Sequence, residues 1–395
     1  NPTDAANLVM ASQWNAPNVY KTTKRGWSAS TTPTGGLPGE DRPSDPQIEL
    51  DRNGVAFVAS MDFYNDGPNE VFDGIKIWKS MDKGGTFTRV ANAWTRATLF
   101  TMPDGSTKAP CPDTSSTIGD RPILVVDLDP ASPFANALYL FTGNTTFDLD
   151  GDGACDTGYK TFARSFDGGQ TWSAHRALPW QPMHRADTRG GWLYVVTAGE
   201  TDCYNPAGIT LSKSPTAGFS WARICWQPPP HLVLGGSARV AASPVDGTLY
   251  IVFVAGPLSQ SENHVYLMRS SDGGVTWTTP AQVDLASDAA KVSYNFDISV
   301  SSNGRVDIAW TDNRNILSAS DQYGDVFYRY STDQGATFGT ELRVTSQSGC
   351  VRSAGPGNDY LTVVSSGTKA YIGHGFSVGT SSCGTPLGYV ATVTH

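Results

Sequence analysis

Short segments of alternating apolar and polar residues recur along this chain, and a period of two residues predicts β-strands. Residues 75–78 (IKIW) and 265–268 (VYLM) are two such segments. Two further apolar segments precede each of them, for example 55–58 (VAFV) and 249–253 (LYIVF). Each unit of the chain therefore reads as three consecutive strands, followed by a turn and a fourth strand.

An eight-residue motif marks the turn before the fourth strand. Intact copies with the pattern Ser-x-Asp-x-Gly-x-Thr-aromatic start at Ser80, Ser165, Ser270 and Ser331. Degenerate copies lie within 212–221 and 22–27. The Asp carboxylate can accept backbone N–H bonds across a tight turn, and Gly permits a positive φ there. The motif therefore predicts a hairpin turn, with the aromatic ring packed inward at the start of the outgoing strand.

Four-stranded units repeated about every 50–70 residues are typical of β-propeller blades, so we predict an all-β propeller of antiparallel blades. Five units look complete, at residues 46–118, 119–180, 181–234, 235–290 and 291–348. Three more strands are expected near each terminus, at 8–14, 19–23, 27–30, 360–365, 369–373 and 388–393. Two partial blades would give seven, which the three strands at each end favour, and one merged blade would give six. In both cases residues 1–395 form a single domain, and the N- and C-terminal strands close the ring.

The repeated motif resembles the Asp-box, or bacterial neuraminidase repeat, of the sialidase-like superfamily, and the resemblance covers nearly the whole chain. In that superfamily these turns lie on the blade periphery and have a structural role. The ligand face is built instead by the loops that enter the innermost strands and by those joining the second and third strands. The resemblance therefore implies a carbohydrate-active protein with its site on that face.

The residues expected on the ligand face supply candidates for catalysis and for substrate binding. The resemblance implies a Tyr nucleophile, an activating Glu and an acidic Asp. The catalytic candidates are His184, Tyr294, Tyr360, Glu200 and Asp62. Guanidinium groups bind carboxylates in a bidentate manner, so arginines on this face predict an anionic sugar ligand. The candidates are Arg42, Arg121, Arg185, Arg239 and Arg314. Alternatively, these arginines pair with nearby aspartates and connect the blades.

Three functions are compatible with these residues. The first is a sialidase-like exo-glycosidase that cleaves a sialate- or uronate-bearing glycan, although the Arg-Ile-Pro motif of sialidases is absent. The second is a uronate-directed lyase, in which Arg neutralises the carboxylate and His184 transfers a proton. The third is a lectin that stacks aromatic side chains on sugar rings without catalysis.

Residues 148–156 (DLDGDGACD) have the pattern of a calcium-binding loop, with oxygen ligands at alternate positions and a glycine between them. We expect Asp148, Asp150, Asp152 and Asp156 to offer carboxylates and Ala154 to offer its carbonyl. The twelfth position is Tyr159 rather than Glu, so the loop is not an EF-hand. The ion would be structural. The alternative is a solvated acidic turn, and no organic cofactor is expected.

The number of cysteines and the net charge limit the cellular compartment and the binding partners that can be expected. Two pairs, Cys203 with Cys225 and Cys350 with Cys383, each bracket a predicted hairpin, which leaves Cys111 with Cys155. Three disulfides would imply a secreted protein, whereas six free thiols are the alternative. A net charge of −9 and a pI of about 5.1 argue against nucleic-acid binding. No stretch approaches the roughly 18 apolar residues of a membrane span. We therefore expect a secreted monomer with no membrane or nucleic-acid partner, acting on an anionic oligosaccharide or polysaccharide.

Overall fold

The computed structural model describes residues 1, 4, 6–12, 18–23, 26–29, 44–66, 69–111, 122–156, 158–178, 186–200, 208–257, 264–286, 292–315, 323–350, 361–378 and 387–395. Strands are the main regular structure of these residues, and no helix occurs among them. Within the same ranges, nothing has the helical length and hydropathy of a membrane span. The all-β prediction is therefore confirmed.

The N-terminal half contains a three-stranded sheet followed by two four-stranded antiparallel blades. The first sheet consists of β1 (Val9–Ser12), β2 (Asn18–Thr23) and β3 (Gly26–Ala29). The next blade consists of β4 (Ser44–Leu50), β5 (Ala56–Asp66), β6 (Asn69–Ser80) and β7 (Thr88–Thr95). The short strands β8 (Phe100–Thr101) and β9 (Thr107–Lys108) extend the following blade, which consists of β10 (Ile123–Val126), β11 (Leu138–Thr146), β12 (Gly158–Ser165) and β13 (His175–Leu178).

Three more antiparallel blades and a last three-stranded sheet follow. The first of these blades consists of β14 (Ala186–Arg189), β15 (Trp192–Glu200), β16 (Gly208–Ser214) and β17 (Ala222–Trp226). The second consists of β18 (Val233–Ala242), β19 (Leu249–Gly256), β20 (His264–Ser270) and β21 (Ala281–Gln282). The third consists of β22 (Val292–Val300), β23 (Val306–Asp312), β24 (Tyr323–Ser331) and β25 (Leu342–Arg343). The short β26 (Gly349–Cys350) pairs with both β24 and the last sheet, which consists of β27 (Leu361–Ser366), β28 (Lys369–Val378) and β29 (Leu387–Thr394).

The five four-stranded blades confirm the five complete units expected from the sequence. The chain divides into two compact units, of which unit 1 comprises residues 1–182, 190–193 and 214–220. Unit 2 comprises residues 183–189, 194–213 and 221–395.

Within each unit the first strands of successive blades lie side by side. In unit 1, β4 contacts both β1 and β10. In unit 2, β18 contacts both β14 and β22, and β22 also contacts β27. This is the arrangement of a propeller, in which each sheet packs face to face on its neighbours.

The hydrophobic core lies between neighbouring blades. In unit 1, Ile77 of β6 and Leu124 of β10 are fully buried in one cluster. In unit 2, Val252 of β19, Ile298 of β22 and Trp310 of β23 are fully buried in another. These side chains come from alternate positions of central strands, which is why the sequence shows a period of two.

The repeated motif forms a hydrogen-bonded turn between the third and fourth strands. In the copy at Ser331, the Ser331 hydroxyl donates to Asp333 Oδ1 at 2.7 Å and accepts from the Gly335 amide at 2.7 Å. The Thr337 amide donates to Asp333 Oδ1 at 2.8 Å, and its hydroxyl donates to the other oxygen at 2.5 Å. Hydrogen bonds from the Thr337 hydroxyl and amide and from Ser331 lower the pKa of Asp333 to about 2. The same bonds recur in the copies at Ser80, Ser165 and Ser270.

A basic side chain just before a turn serine binds the turn of the next blade. Arg164 Nη1 donates to the carbonyls of Thr216 and Ala217, both at 2.7 Å. Arg269 Nη1 donates to the Gln334 carbonyl at 3.0 Å. The same kind of bond joins Lys213 Nζ to Gly273 O at 2.6 Å. Each turn therefore shapes its own hairpin and also accepts a cation from the preceding blade, which connects the blades at this end.

Candidate functional site

The first strands of three blades are irregular at the end opposite to the repeated turns. The register with the second strand shifts between Ser44 and Gln47 in β4, and between Leu234 and Ala238 in β18. It shifts again in β22, where the shift ends at Phe296. Such β-bulges redirect side chains and are over-represented beside active sites. In unit 2, β18 and β22 are neighbours, so their irregular ends lie together. We call residues 234–239 and 292–297 the bulge site.

Arg239 is the predicted substrate-binding arginine that the structure places in the bulge site. It is buried, and its Nη1 donates to Ser237 Oγ at 3.1 Å and to the Ala238 carbonyl at 3.2 Å. Its guanidinium carbon lies 4.9 Å from the ring centre of Phe296, on the neighbouring strand. Backbone and side-chain acceptors from the β18 bulge, together with a ring from the β22 bulge, therefore fix this cation in place.

The β22 bulge also contains the predicted nucleophile Tyr294, whose backbone lies in the strand and whose side chain is outside the described atoms. The following residue, Asn295, is buried, and its carbonyl accepts a hydrogen bond from the Thr311 hydroxyl at 3.4 Å. Asp297 Oδ2 accepts from the Val363 amide at 3.0 Å and from the Thr362 hydroxyl at 3.3 Å. Asp297 therefore connects β22 to β27 and holds the base of the bulge.

Arg314 lies after the end of β23 and is paired internally. Its Nε and Nη2 donate to the Asp312 carboxylate at 2.9 and 2.6 Å, and its Nη1 donates to Glu341. Its guanidinium carbon lies 4.0 Å above the Phe327 ring. Two carboxylates therefore neutralise this arginine, as in the alternative reading of the sequence.

Asp62, the predicted acid, lies on β5 and forms an ion pair with Lys76 of β6. The two side chains are 1% and 3% exposed, so the pair lies beneath the surface of its blade. The register of β5 and β6 shifts immediately after Asp62.

The remaining predicted site residues fall partly or wholly outside the described atoms. His184, Tyr360, Arg42, Arg121 and Arg185 lie outside the described residues. Glu200 ends β15, and its side chain is not described. The structure therefore places Arg239 against Phe296, two residues after Tyr294, and it places Arg314 and Asp62 in internal ion pairs.

A histidine–carboxylate pair lies at the same end of the β18 blade and was not among the predicted catalytic residues. His264 begins β20, and its Nδ1 lies 3.0 Å from Asp284 Oδ1. The Val265 amide donates to Asp284 Oδ2 at 2.6 Å, which fixes the carboxylate. Both side chains are buried, at 5% and 0% exposure. A carboxylate that orients an imidazole is an arrangement suited to proton transfer. No spacing in the sequence signals it, because Asp284 lies beyond the fourth strand.

The acidic loop brings three of its predicted ligands together. One carboxylate oxygen from each of Asp148, Asp150 and Asp156 lies within 4.8 Å of the others. The Gly151 and Gly153 amides donate to the two oxygens of Asp148, at 2.6 and 3.0 Å. The other two predicted ligands lie outside this group. They are Asp152, whose carboxylate accepts the Ala154 amide at 2.7 Å, and the Ala154 carbonyl.

A disulfide between Cys111 and Cys155 anchors this loop, with a Cα–Cα distance of 5.9 Å, and confirms the predicted pair. Cys225 and Cys350 are also disulfide-bonded. Their predicted partners, Cys203 and Cys383, lie outside the described residues.

Comparison with known proteins gives distant relatives only. No protein-family model matches the chain. A curated relative, a xyloglucanase of a Paenibacillus species, is 24% identical over 296 residues, which cover 70% of this chain and 25% of the relative. This chain therefore spans about a quarter of the length of that relative.

Several solved structures share the fold. A Dyadobacter fermentans protein of unknown function has a TM-score of 0.55 at 15% identity, over 90% of this chain and 96% of its own. A GH93 α-L-arabinofuranosidase of Fusarium graminearum has a TM-score of 0.53 at 12% identity, over 99% and 98%. The NanB sialidase of Streptococcus pneumoniae has a TM-score of 0.51 at 12% identity, over 87% and 66%. Together with the blades described above, these likenesses show that the chain has a β-propeller fold.

Proposed function

We propose that this protein is a glycoside hydrolase whose substrate binds at the bulge site. The observation that carries the proposal is the adjacency of the two bulges, in which Arg239 of β18 lies against Phe296 of β22, two residues after Tyr294. The names of the xyloglucanase, the arabinofuranosidase and the sialidase support a glycan substrate. In this proposal Tyr294 is the nucleophile and Glu200 activates it. His184 and Tyr360, which precede two other first strands in the sequence, are proposed to contribute further catalytic groups.

Arg239 is proposed to bind a carboxylate of the substrate, which would be a sialate or a uronate. A fixed guanidinium is pre-organised for such an anion, because little side-chain entropy is lost when the anion binds. Arg185 is proposed to contribute further positive charge from another first-strand entry of unit 2, whereas Arg42 and Arg121 belong to unit 1 and stay predictions from the sequence. Replacing Arg239 by Ala is expected to lower kcat/KM on an acidic substrate about tenfold to a hundredfold, as expected for a lost charged hydrogen bond.

A neutral polysaccharide is the second candidate, and the pairing of Arg314 favours it. Asp312 and Glu341 neutralise that guanidinium, so one of the five predicted cations is not available to an anionic sugar. Under this alternative, Arg239 donates to sugar hydroxyls, and its replacement affects neutral and acidic substrates alike.

The proposal is tested by measuring reducing sugar released from four substrates: sialyl-lactose, polygalacturonate, arabinan and xyloglucan. We expect release from at least one, and we expect Tyr294→Phe to reduce it about a hundredfold or more. Tyr389→Phe, at an exposed tyrosine in the last sheet, is the matched control and should keep full activity. Ultraviolet-absorbing unsaturated products would indicate the lyase instead, and binding without products would indicate the lectin. Equal rates for Tyr294→Phe and the wild type would refute the proposed nucleophile.

We further propose seven blades. Among the described residues, β1–β3 and β27–β29 pair within two different sheets, and β1 lies beside β4 and β27 beside β22 as the first strands of blades do. A crystal structure that merges these six strands into one sheet would contradict this count.

We also propose that the loop 148–156 binds structural Ca²⁺. Three convergent carboxylates are the hard oxygen donors that this ion prefers, and the disulfide holds them near one another. Adding Ca²⁺ should raise the melting temperature of the wild type, and a chelator should reverse the rise. Asp150→Asn should abolish the response, whereas Asp104→Asn, at an acidic residue of the 102–106 turn, should keep it. An identical response in both variants would count against this loop as the site.

The disulfides support a secreted protein, because such bonds persist in oxidising compartments, and we also propose that the protein is a monomer. Protein recovered from culture medium is expected to carry no reactive thiol until it is reduced, as measured by mass after alkylation. Light scattering of the same sample should give the mass of one chain. Alkylation of all six cysteines without reduction would contradict the proposal.

A further inference from the structure

An alternating stack of aromatic rings and guanidinium groups lies at the turn end of unit 1. The Arg164 guanidinium carbon lies 5.3 Å from the Phe166 ring centre and 5.9 Å from that of Phe219. The Arg176 guanidinium carbon also lies near Phe219, at 4.9 Å from its ring centre. Phe134 extends the stack, with its ring centre 6.2 Å from that of Phe166. We call these five residues the aromatic–arginine stack.

The two central rings are exposed although they are large and apolar. Phe166 is 59% exposed and Phe219 is 62% exposed. They occupy variable positions of two successive turns, so the turn does not require an aromatic residue there. Burial in the fold therefore does not account for these rings, and exposed apolar clusters of this kind mark binding surfaces.

The backbone holds the stack in a fixed geometry. Arg164 Nη1 is occupied by the Thr216 and Ala217 carbonyls, and Arg176 Nη1 donates to the Phe219 carbonyl at 3.0 Å. Each guanidinium group is thus oriented through its Nη1 atom. A rigid platform loses little entropy on binding, which raises affinity for a flat ligand.

The charges of the stack are not balanced within the described residues. No carboxylate of those residues forms an ion pair with either guanidinium, although the chain as a whole carries a net charge of −9. Two cations that lie close together repel each other and favour an anion between them. Guanidinium forks match carboxylates in particular.

We propose that the aromatic–arginine stack binds a linear polysaccharide carrying carboxylates, at a site distinct from the bulge site. Sugar rings would pack against the exposed parts of Phe166 and Phe219, and the carboxylates would accept hydrogen bonds from Arg164 and Arg176. The choice of a polysaccharide as the occupant rests on the proposed function. The stack lies at the turn end of its own blades, and none of its residues belongs to the bulge site. The stack therefore holds the polymer and takes no part in bond cleavage.

Affinity electrophoresis through gels containing polygalacturonate tests this site. Phe219→Ala and Arg176→Gln are each expected to weaken retardation, with an increase in Kd of about tenfold. Added salt should also weaken binding of the wild type, because the two guanidinium groups are only half-buried and the ions of the buffer screen them. Val275→Ala and Met81→Ala are the matched controls. They replace apolar side chains that are 63% and 73% exposed in other turns, and they should bind as the wild type does.

Cleavage of a short oligosaccharide by the same variants separates this inference from the proposed function. We expect unchanged rates, because none of the stack residues belongs to the bulge site. Variants that lose polymer binding in a protein that cleaves no glycan would support the stack and refute the hydrolase. Wild-type retardation in Phe219→Ala and Arg176→Gln would overturn the stack, as would a wild type that polygalacturonate does not retard. Equal losses on a neutral arabinan gel would overturn the charged class of ligand.

Discussion

Replacing Arg314 by Ala should destabilise the fold rather than remove a substrate contact. The Asp312 side chain is fully buried, and Arg314 supplies it with two donors from the guanidinium. In the variant, the remaining donors are the Trp310 indole at 3.0 Å and the amide of residue 314 at 3.1 Å. Leaving a buried charge without its partner typically costs about 3–5 kcal/mol. Because the Arg314 side chain is 17% exposed, water can partly replace it, so we expect about 3 kcal/mol.

The loss should depend on pH with a defined sign. Burial raises the pKa of Asp312 even in the presence of Arg314, which acts in the opposite direction. Without Arg314 the pKa of Asp312 in the folded state rises further. A group with a raised folded-state pKa contributes stability at low pH that is lost as the pH rises through that pKa. The variant's deficit should therefore be largest near about pH 7 and shrink toward the ordinary Asp pKa of about 3.9.

The assay is urea unfolding followed by tryptophan fluorescence, at about pH 7 and about pH 5. A double variant, Asp312→Asn with Arg314→Ala, removes the stranded charge. We expect it to be at least about 1 kcal/mol more stable than Arg314→Ala alone at neutral pH. A deficit below about 1 kcal/mol, or a double variant less stable than the single one, would refute the reasoning. If the Arg314→Ala variant had normal stability but did not bind substrate, Arg314 would be a substrate-binding residue, as the sequence predicted.

Three further predictions concern the turns. Gly218→Ala should cost about 3 kcal/mol, because φ is +83° and a Cβ would collide with the Phe162 ring. Gly247→Ala is the control: φ is +74° and no described atom lies near the added carbon, so it should cost about 1 kcal/mol. Equal melting temperatures for the Gly218→Ala and Gly247→Ala variants would contradict the proposed collision with Phe162. Thr216→Asp restores the aspartate of the motif, and its carboxylate can accept the Ser220 amide that Thr216 Oγ1 now accepts at 2.8 Å. We expect about 0.5–1 kcal/mol of added stability in urea. Asp333→Asn should be destabilising near neutral pH. Because the pKa of Asp333 is lowered to about 2, the stability that the wild type owes to this carboxylate should be lost as the pH falls toward 2, and a deficit of Asp333→Asn that does not change with pH would refute this.

Much of the fold could be predicted because its determinants are local. Alternation along β6 and β20, together with the motif between the third and fourth strands, defines a blade within a short window of sequence. The disulfide between Cys111 and Cys155 followed from the spacing of the other four cysteines. The basic side chains that connect the blades share a position in the sequence, because Arg164, Lys213 and Arg269 each directly precede the first serine of a turn.

The site was less predictable because its determinants are distant in the sequence. Arg314 is paired with Glu341, which lies beyond the turn of the same blade, and no pattern connects them. The bulges of β18 and β22 interrupt the alternation without a common residue signature, although Gly236 has a φ of +76°. Asp62 lies near the loop between β5 and β6 in the sequence, yet it forms an ion pair with a lysine of the paired strand. Which charged groups remain for a ligand is therefore decided by cross-strand neighbours.

Hydrogen exchange with a short oligosaccharide tests most directly whether the bulge site binds the substrate. The oligosaccharide would be the smallest product released from the preferred polymer. The account predicts slower amide exchange in residues 234–239 and 292–297, with no change in Arg239→Ala at the same oligosaccharide concentration. Protection confined to residues 148–156, or to the turns that carry Phe166 and Phe219, would contradict it.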